Sequence, residues 1–294
     1  MYVYVFFYLL TLLLGVAFLT LLERKFLGLV HFRIGPMKVG FIGILQPFSD
    51  ALKLFGKILL KLTSLNYFFY IISPLYGFLM VLLLYLNYFY LGIYMNVSVG
   101  WLFMILLVSM NLYFLLGMSW SSISVYSFYG CMRAVSQALA YEVVLIFFFL
   151  YYMIFRCMYE FDFDMESLGF SFVWFLPFVI VWFIVLLFET NRSPYDLSEG
   201  ESELVSGFST EYFGGFFSLI FIVEYASLIF MIFVMLNLIS VGLLELMVLF
   251  VFFMILILWV RGSYPRIRYD ILMMMAWKYV LIYVLFSYFL LMFL

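Results

Sequence analysis

Eight long apolar stretches determine the fold class of this chain. A helix that crosses the hydrocarbon core of a bilayer needs roughly 20 mostly apolar residues at about 1.5 Å each. Hydrophobic residues make up 69% of the 294 residues and charged residues only 10%, against about a quarter in soluble proteins. The sequence therefore predicts an all-α integral membrane protein with eight transmembrane helices. The predicted spans are approximately 2–22, 66–91, 101–118, 135–155, 172–188, 214–238, 243–260 and 271–293.

The long polar connection after the first span contains one further predicted helix, from about 47 to 61. Pro47 suits the first turn of a helix, and the apolar side chains favour one face, which Asp50 and Lys53 avoid. Such an amphipathic helix lies in the membrane interface rather than across the bilayer. It either anchors the surface or closes a cavity there. No repeat or linker divides the chain, so residues 1–294 are expected to form a single membrane domain.

Basic residues are unevenly distributed about the eight spans. If the spans cross the bilayer alternately, twelve of the fourteen Lys and Arg residues fall on one side. Only Arg156 lies in a loop on the opposite side, and Lys278 lies within the last span. By the positive-inside rule the basic side is the cytoplasm or, in a mitochondrion, the matrix. Both termini are then expected to face the other compartment.

Six of the sixteen acidic residues lie between Glu189 and Glu211, in the run ETNRSPYDLSEGESELVSGFSTE. Ionised groups near hydrocarbon are costly unless they are paired or hydrated, so they usually line a polar path or a site. Glu142 in the fourth span and Glu224, about ten residues into the sixth, extend the run towards the midplane. This pattern predicts proton transfer along carboxylates. The alternative is that each glutamate only makes a hydrogen bond between helices.

The chain lacks the residues for a metal centre of its own. Cys131 and Cys157 have no CxxC spacing, and His31 is the one histidine. These residues are too few for an iron–sulfur cluster, a haem with two histidine ligands or an ordinary zinc site. Redox chemistry, if present, must then involve an organic carrier or a neighbouring subunit.

Seven motifs occur in order along nearly the whole chain: ERKFLG, RIGPMKVG, QPFSDALKLF, RAVSQALAYE, ETNRSPYDLSEGESELVSGFSTEYFGG, EYASL and WVRGSYPRIRYDILM. Together they resemble the subunit 1 family of proton-pumping NADH:quinone oxidoreductase, respiratory complex I. Two departures stand out. Ile34 occupies a position where the family pattern has a lysine, and SWSSISVYSFYGCMRAV drifts from the family's loop.

The resemblance implies a role for particular residues. The first span, the interfacial helix and the sixth span would form a tunnel through which ubiquinone enters from the bilayer. The implied tunnel residues are Arg24, Arg33, Phe48, Asp50, Glu199, Glu201, Glu203 and Arg268. The implied proton path consists of Glu142, Glu189, Asp196 and Glu224, with Arg133, Arg192 and Tyr225 as tuning partners.

The resemblance also implies a setting. The chain would belong to NADH:ubiquinone reductase without being catalytic alone, and would bind ubiquinone but no metal, flavin or iron–sulfur cluster. Its expected partners are hydrophilic subunits that carry the terminal iron–sulfur cluster, small and antiporter-like membrane subunits, and phospholipids, but not nucleic acid. Its expected location is the mitochondrial inner membrane, with basic loops in the matrix and both termini in the intermembrane space.

Three rival functions fit part of the same pattern. A proton-coupled secondary transporter would use the same carboxylates, but such transporters often show inverted repeats and broken helices, and the sequence shows neither. A purely structural anchor would tolerate neutral residues at the buried glutamates. The corresponding subunit of a membrane-bound hydrogenase would share the motifs but bind no quinone.

Overall fold

The computed structural model describes residues 2–57, 66–93, 100–156, 172–197, 207–239 and 243–293. Within these ranges the regular structure is helical, with short 3₁₀ turns at Phe41–Gly43 and Gly207–Ser209. A π-helical turn, Met275–Val280, joins the last two helices. The prediction of an all-α membrane protein is confirmed. The helices are α1 (Tyr2–Val30), α2 (Gln46–Phe55), α3 (Tyr67–Ile93), α4 (Gly100–Ser122), α5 (Val125–Arg156), α6 (Phe172–Glu189), α7 (Gly214–Ile239), α8 (Leu243–Ser263), α9 (Tyr269–Met274) and α10 (Leu281–Phe293).

Seven helical segments in the described ranges are long and apolar enough to cross a membrane, with α9, the π-helical turn and α10 taken as one. Helix α6 is also apolar, but its stretch Phe178–Glu189 is shorter than the others. The count of eight transmembrane helices therefore stays a prediction.

Several helices continue beyond the apolar spans predicted for them. Helix α1 runs to Val30 and carries Glu23 and Arg24 in its last turns. In the same way Arg133 lies on α5 and Arg261 on α8. An apolar span ends at the first charged residue, but Glu, Arg, Lys and Leu are good helix formers, so the helix continues past it. These charged side chains are therefore held by helices rather than by loops.

The interfacial helix α2 begins at Gln46 with Pro47 in its first turn and is described as far as Phe55. Its predicted end near residue 61 lies outside the described residues. Helix α2 packs against α1 and α7. The Phe48 ring meets the Phe18 ring edge to face at 6.1 Å, and Lys53 is exposed. Helix α2 thus lies against the polar end of α1 and against α7.

Helix α7 is the centre of the bundle. It packs against α1, α2, α3, α6 and α8, and it is the most deeply buried of the membrane spans. Helices α1 and α8 have the least buried spans. The well-packed core thus lies around α3, α4, α5 and α7, while α1 and α8 lie at its edge.

The contact between α3 and α4 is close because of two glycines on facing surfaces. A Cβ atom at Gly77 would lie 2.6 Å from Cδ2 of the buried Phe114 ring. One at Gly117 would lie 2.9 Å from Cβ of Ser73. Small residues allow membrane helices to approach in this way, and van der Waals packing then holds them together.

We predict that Gly77→Ala destabilises the protein by about 1–3 kcal/mol, the usual cost of forcing an extra carbon into a packed core. Thermal unfolding of the protein in its native membrane would measure the loss. Gly15→Ala is the matched control, because a Cβ there meets no atom within 4 Å. An equal effect of the two substitutions would contradict this account of the α3–α4 contact.

Candidate functional site

Four side chains from different parts of the chain form a buried polar cluster, which we call the Glu23 cluster: Glu23, Arg192, Tyr225 and Arg261. Glu23 is only 5% exposed. Its Oε1 atom pairs with Arg261 Nη1 and lies 3.7 Å from Arg192 Nη1. The Tyr225 hydroxyl donates a hydrogen bond to Oε2 of the same carboxylate. The Arg192 guanidinium lies over the Tyr225 ring, 4.1 Å from its centroid. With two cations and one anion, the cluster carries a formal excess of positive charge.

The loop after α6 brings Arg192 to this cluster. Asn191 adopts φ 48°, a left-handed conformation that asparagine tolerates and that commonly ends a helix. Gln137, fully buried on α5, donates hydrogen bonds from Nε2 to the carbonyl oxygens of Phe188 at 3.0 Å and Tyr195 at 3.2 Å. The loop is therefore fastened on both sides of Arg192.

An apolar cavity of about 500 Å³ extends from the Glu23 cluster between α1, α7 and α8. Its walls include Leu12, Leu19, Phe230 and Met254. The lining residues Phe18 and Leu22 on α1 and Val251 and Ile255 on α8 are exposed. The cavity thus opens between α1 and α8 towards the surface that faces lipid, and its other end is closed by charged groups.

A second, small cavity of about 60 Å³ lies on the other side of the Glu23 cluster. Glu189, Asp196 and Glu224 line it. Three buried acceptor oxygens at its wall have no hydrogen-bond donor among the described residues: Asn111 Oδ1, Glu189 Oε2 and Asn191 Oδ1. A buried water needs about 10–15 Å³, so the cavity has room for several. Waters there would satisfy these acceptors, whose burial without a donor is unfavourable.

The two cavities share part of their lining. Arg192 and Arg261 contribute to both. The same two arginines pair with Glu23. A change of charge in one cavity therefore acts on cations that also line the other cavity. Through these arginines, a change of charge in the apolar cavity can affect the protonation of the carboxylates in the second cavity.

Glu142 lies beside this second cavity rather than in its wall. It is partly buried, and its charge acts on Glu189. The neighbouring Tyr141 ring stacks on Phe188 with 3.7 Å between the ring centroids, and Tyr195 packs at 3.7 Å on the same phenylalanine. The predicted proton-path residues Glu189, Asp196 and Glu224 thus line one cavity, and Glu142 lies near enough to Glu189 for its charge to act on it. Their role in proton transfer stays a prediction.

A second polar group fastens the chain just before α7. The buried Tyr212 hydroxyl is hydrogen-bonded to Ser73 Oγ at 2.9 Å and Ser121 Oγ at 2.7 Å. Its ring stacks on Tyr70 at 4.5 Å. Burial raises the pKa of Tyr212, while the two serine hydrogen bonds partly oppose that rise. The phenol therefore stays neutral at physiological pH.

The predicted tunnel residues are not all at the apolar cavity. Arg24 and Asp50 form an ion pair at 2.6 Å on the partly exposed surface between α1 and α2, and Phe48 supports the wall through Phe18. Arg33 is exposed. Arg268 is exposed and pairs with Asp270 at 3.5 Å. Glu199, Glu201 and Glu203 lie outside the described residues.

Arg192 and Tyr225, which were predicted to be tuning partners, lie at the centre of the site. Arg133 is partly buried on α5, nine residues before Glu142. Asp196 pairs with Arg266 at 3.4 Å, a contact that the sequence analysis did not anticipate.

Comparison with known proteins identifies the family of the chain. The family model described as NADH dehydrogenase matches residues 3–292. The chain belongs to the NADH dehydrogenase family. The predicted family resemblance is thereby confirmed.

Curated members of the NADH dehydrogenase family cover most of the chain. The protein named NADH-ubiquinone oxidoreductase chain 1 from Aedes aegypti is 44% identical over 90% of this chain and 86% of its own length. The proteins of the same name from Paracentrotus lividus and Rhipicephalus sanguineus are each 41% identical, over 92% and 98% of this chain and 88% and 94% of their own lengths.

Three residues of the site were given no role from the sequence. Glu23 and Arg261 each directly follow a predicted apolar span, so they resemble ordinary flanking charges. Asn111 is a single amide within an apolar span. The available signal for Glu23 was the run of good helix formers that follows the apolar span, which lets α1 continue to Val30, about 10 Å further by the rise per residue. A carboxylate that such a helix holds within the protein requires a partner.

We predict that Glu23→Gln destabilises this NADH dehydrogenase family member far more than Asp50→Asn does. Removing one partner of a buried ion pair costs about 3–5 kcal/mol because a buried charge is left uncompensated. An exposed pair such as Arg24–Asp50 contributes about 0–1 kcal/mol. Thermal inactivation of the native membrane complex would compare the two variants. Equal losses would show that Glu23 does not balance the two arginines.

Proposed function

We propose that the chain is a membrane subunit of a proton-translocating NADH:ubiquinone oxidoreductase. In this role it gives ubiquinone access from the bilayer and couples quinone reduction to proton movement. The observation that carries the proposal is the shared lining: Arg192 and Arg261 face both the apolar cavity and the carboxylate cavity. The names of the relatives, NADH-ubiquinone oxidoreductase chain 1, support the same reaction.

The apolar cavity suits an amphipathic quinone. A ligand pocket is usually lined by apolar side chains with a few well-placed polar groups, and this one combines apolar walls with the Glu23 cluster at its end. The isoprenoid tail would contact the walls and extend between α1 and α8 into the bilayer. The carbonyl oxygens of the head would be attracted by the excess positive charge of Arg192 and Arg261.

Coupling follows from the charge that reduction creates. Ubiquinone takes up two electrons and two protons to become ubiquinol. Negative charge that develops near the Glu23 cluster competes with Glu23 for the two arginines. Because those arginines also line the second cavity, their shift alters the field at Glu189, Asp196 and Glu224 and hence their proton occupancy. Carboxyl groups that interact in this way titrate as a coupled set.

The proposal assigns the remaining chemistry to partners. Electrons would come from NADH through cofactors of other subunits, including hydrophilic subunits at the basic side and further membrane subunits. The chain would lie in the mitochondrial inner membrane with its basic loops in the matrix and both termini in the intermembrane space, in line with the positive-inside rule. Glu199, Glu201 and Glu203 are proposed to face the hydrophilic partners.

The rival functions make different demands. A transporter would act alone on a small solute, whereas the relatives of this chain are named as one chain of an oxidoreductase. The corresponding subunit of a hydrogenase would bind no quinone, so it would not need an apolar cavity that opens to lipid. A structural anchor would have no use for shared arginines between two cavities. Experiments on the two cavities therefore separate these functions.

We predict that Gly15→Phe lowers the quinone reductase activity of the assembled enzyme about tenfold or more, the order of effect expected when a pocket is sterically blocked. Gly15 lines the apolar cavity, and a Cβ atom there meets no protein atom within 4 Å. The new side chain would therefore start in open space and place its ring in the cavity. Rates with a long-tailed quinone, compared with a soluble acceptor that takes electrons upstream, would measure the effect.

Leu13→Phe is the matched control for that experiment, because Leu13 is exposed on the same helix and does not line the cavity. It adds the same ring outside the proposed quinone path and should leave both rates unchanged. Full activity of Gly15→Phe with the long-tailed quinone would rule out this cavity as the path.

We predict that Glu224→Gln and Glu142→Gln each lower coupled quinone reduction at least about tenfold while the complex still assembles, the order of loss typical when a proton-transfer group is removed. Proton uptake per quinone reduced, measured in sealed vesicles, is the readout. Glu245→Gln is the control, because Glu245 is exposed in the first turn of α8. Normal pumping by both variants would contradict the proton path and favour a bracing role for these carboxylates.

A further inference from the structure

A lysine lies in the middle of the last membrane span. Lys278 belongs to the π-helical turn between α9 and α10, within the span Tyr269–Phe289. It stands nine residues after Tyr269, about 14 Å along the helix axis, and half the hydrocarbon core of a bilayer is roughly 15 Å. Lys278 is nevertheless exposed on the surface of the chain. A cation in this position needs a counter-charge or a route to water.

The described part of the chain gives Lys278 no counter-charge. The ion pairs found there use Arg24, Arg192, Arg261, Arg266 and Arg268. The lysine side chain itself spans about 6 Å, so leaning towards the nearer membrane surface shortens the 14 Å depth without closing it. The position therefore differs from that of lysines at helix ends, which reach the interface easily.

The local backbone aims Lys278 away from the bundle. The π-helical turn keeps Ala276 and Val280 buried, and Leu272 and Val284 continue the same buried line, four residues apart. This line packs the segment against α5. Lys278 is two residues from both Ala276 and Val280, so it projects from the opposite side. π-Helical turns are rare and are often found at functional sites.

The face that carries Lys278 is otherwise an apolar stripe. The exposed residues at helical spacing on this stripe are Ile271, Met274, Ile282, Phe286 and Phe289. An apolar surface alone does not select a neighbour in a bilayer, because lipid chains are as apolar as leucine. A single charge within the bilayer does select a neighbour, because only a helix with the opposite charge at the same depth can neutralise it.

We propose that this stripe is the docking face for a transmembrane helix of another subunit, and that this helix places an Asp or Glu carboxylate at mid-membrane against Lys278. Charge complementarity identifies the partner's chemistry, and apolar side chains above and below the pair would fit the rest of the stripe. The inference rests on the proposed assembly of the chain into a larger complex, but not on the quinone path or the proton path.

Cross-linking in the intact complex tests the contact directly. A membrane-soluble carbodiimide activates carboxyl groups, and an adjacent lysine amine then forms an amide bond with the activated group. Mass spectrometry should find an amide between Lys278 Nζ and an acidic residue in a transmembrane segment of another subunit. Acylation of Lys278 by a lipid-soluble reagent in the intact complex, to the same extent as in the separated chain, would show that it faces lipid and overturn the proposal.

Variants test whether the pair holds the subunits together. K278M should reduce retention of the chain with its membrane partners during detergent titration by roughly tenfold, the order expected for one lost polar contact between membrane helices. K278R should retain the charge and the complex. K57M makes the same change at an exposed lysine outside the spans and should have no effect.

The outcomes separate this proposal from the quinone proposal. Quinone reduction per retained complex should be unchanged in K278M, because the residue lines neither cavity. Wild-type retention of K278M, or a loss in K278M that is explained by release of a bound anionic phospholipid, would overturn the docking of a carboxylate helix. Neither result would alter the expectation for Gly15→Phe, which depends on reaction rate and not on retention.

Discussion

The carboxylate of Glu23 is the group on which the arrangement of the site depends. Arg192 and Arg261 reach it from a loop and from α8, and Tyr225 reaches it from α7. In a bilayer apolar helix faces have little preference for one another over lipid. A buried anion with two cations does have such a preference, because each charge is unfavourable without the others. The cluster therefore fixes the relative positions of α1, α7 and α8. These positions determine the shape of the cavity between the three helices.

The position of the apolar cavity follows from how tightly the helices pack. Around α3 and α4 there is no space even for a methyl group at Gly77, whereas at Gly15 on α1 the space is open. A path for a bulky lipid-like molecule can form only at the edge of the bundle, where α1 and α8 have little packed against them. Under the proposed function, the dense core around α7 would hold Tyr225 and Glu224 in place while the edge of the bundle accommodates the quinone.

The sequence predicted those parts of the fold and site that depend on local patterns. Apolar runs predicted the helices, and depth along α7 singled out Glu224. The family motifs drew attention to Arg192 and Tyr225, which lie at the centre of the site. Glu23 and Arg261 were missed because they stand at opposite ends of the chain, and no periodicity reveals which distant helices are neighbours. These charges were also missed because the helices extend past the apolar spans. A charge that flanks a predicted span can therefore lie in the interior of the protein.

The boundary between the two cavities bears on the leakage of water and protons from one to the other. The Arg192 side chain lines both the apolar cavity and the carboxylate cavity, and its guanidinium lies over the Tyr225 ring, 4.1 Å from the ring centroid. Under the proposed function, a shorter side chain at position 192 would widen the connection between the two cavities and admit water from the carboxylate cavity into the apolar one. Under that proposal Arg192 would act as a barrier to water as well as a cation, and it would thereby limit proton leakage that is not coupled to quinone reduction.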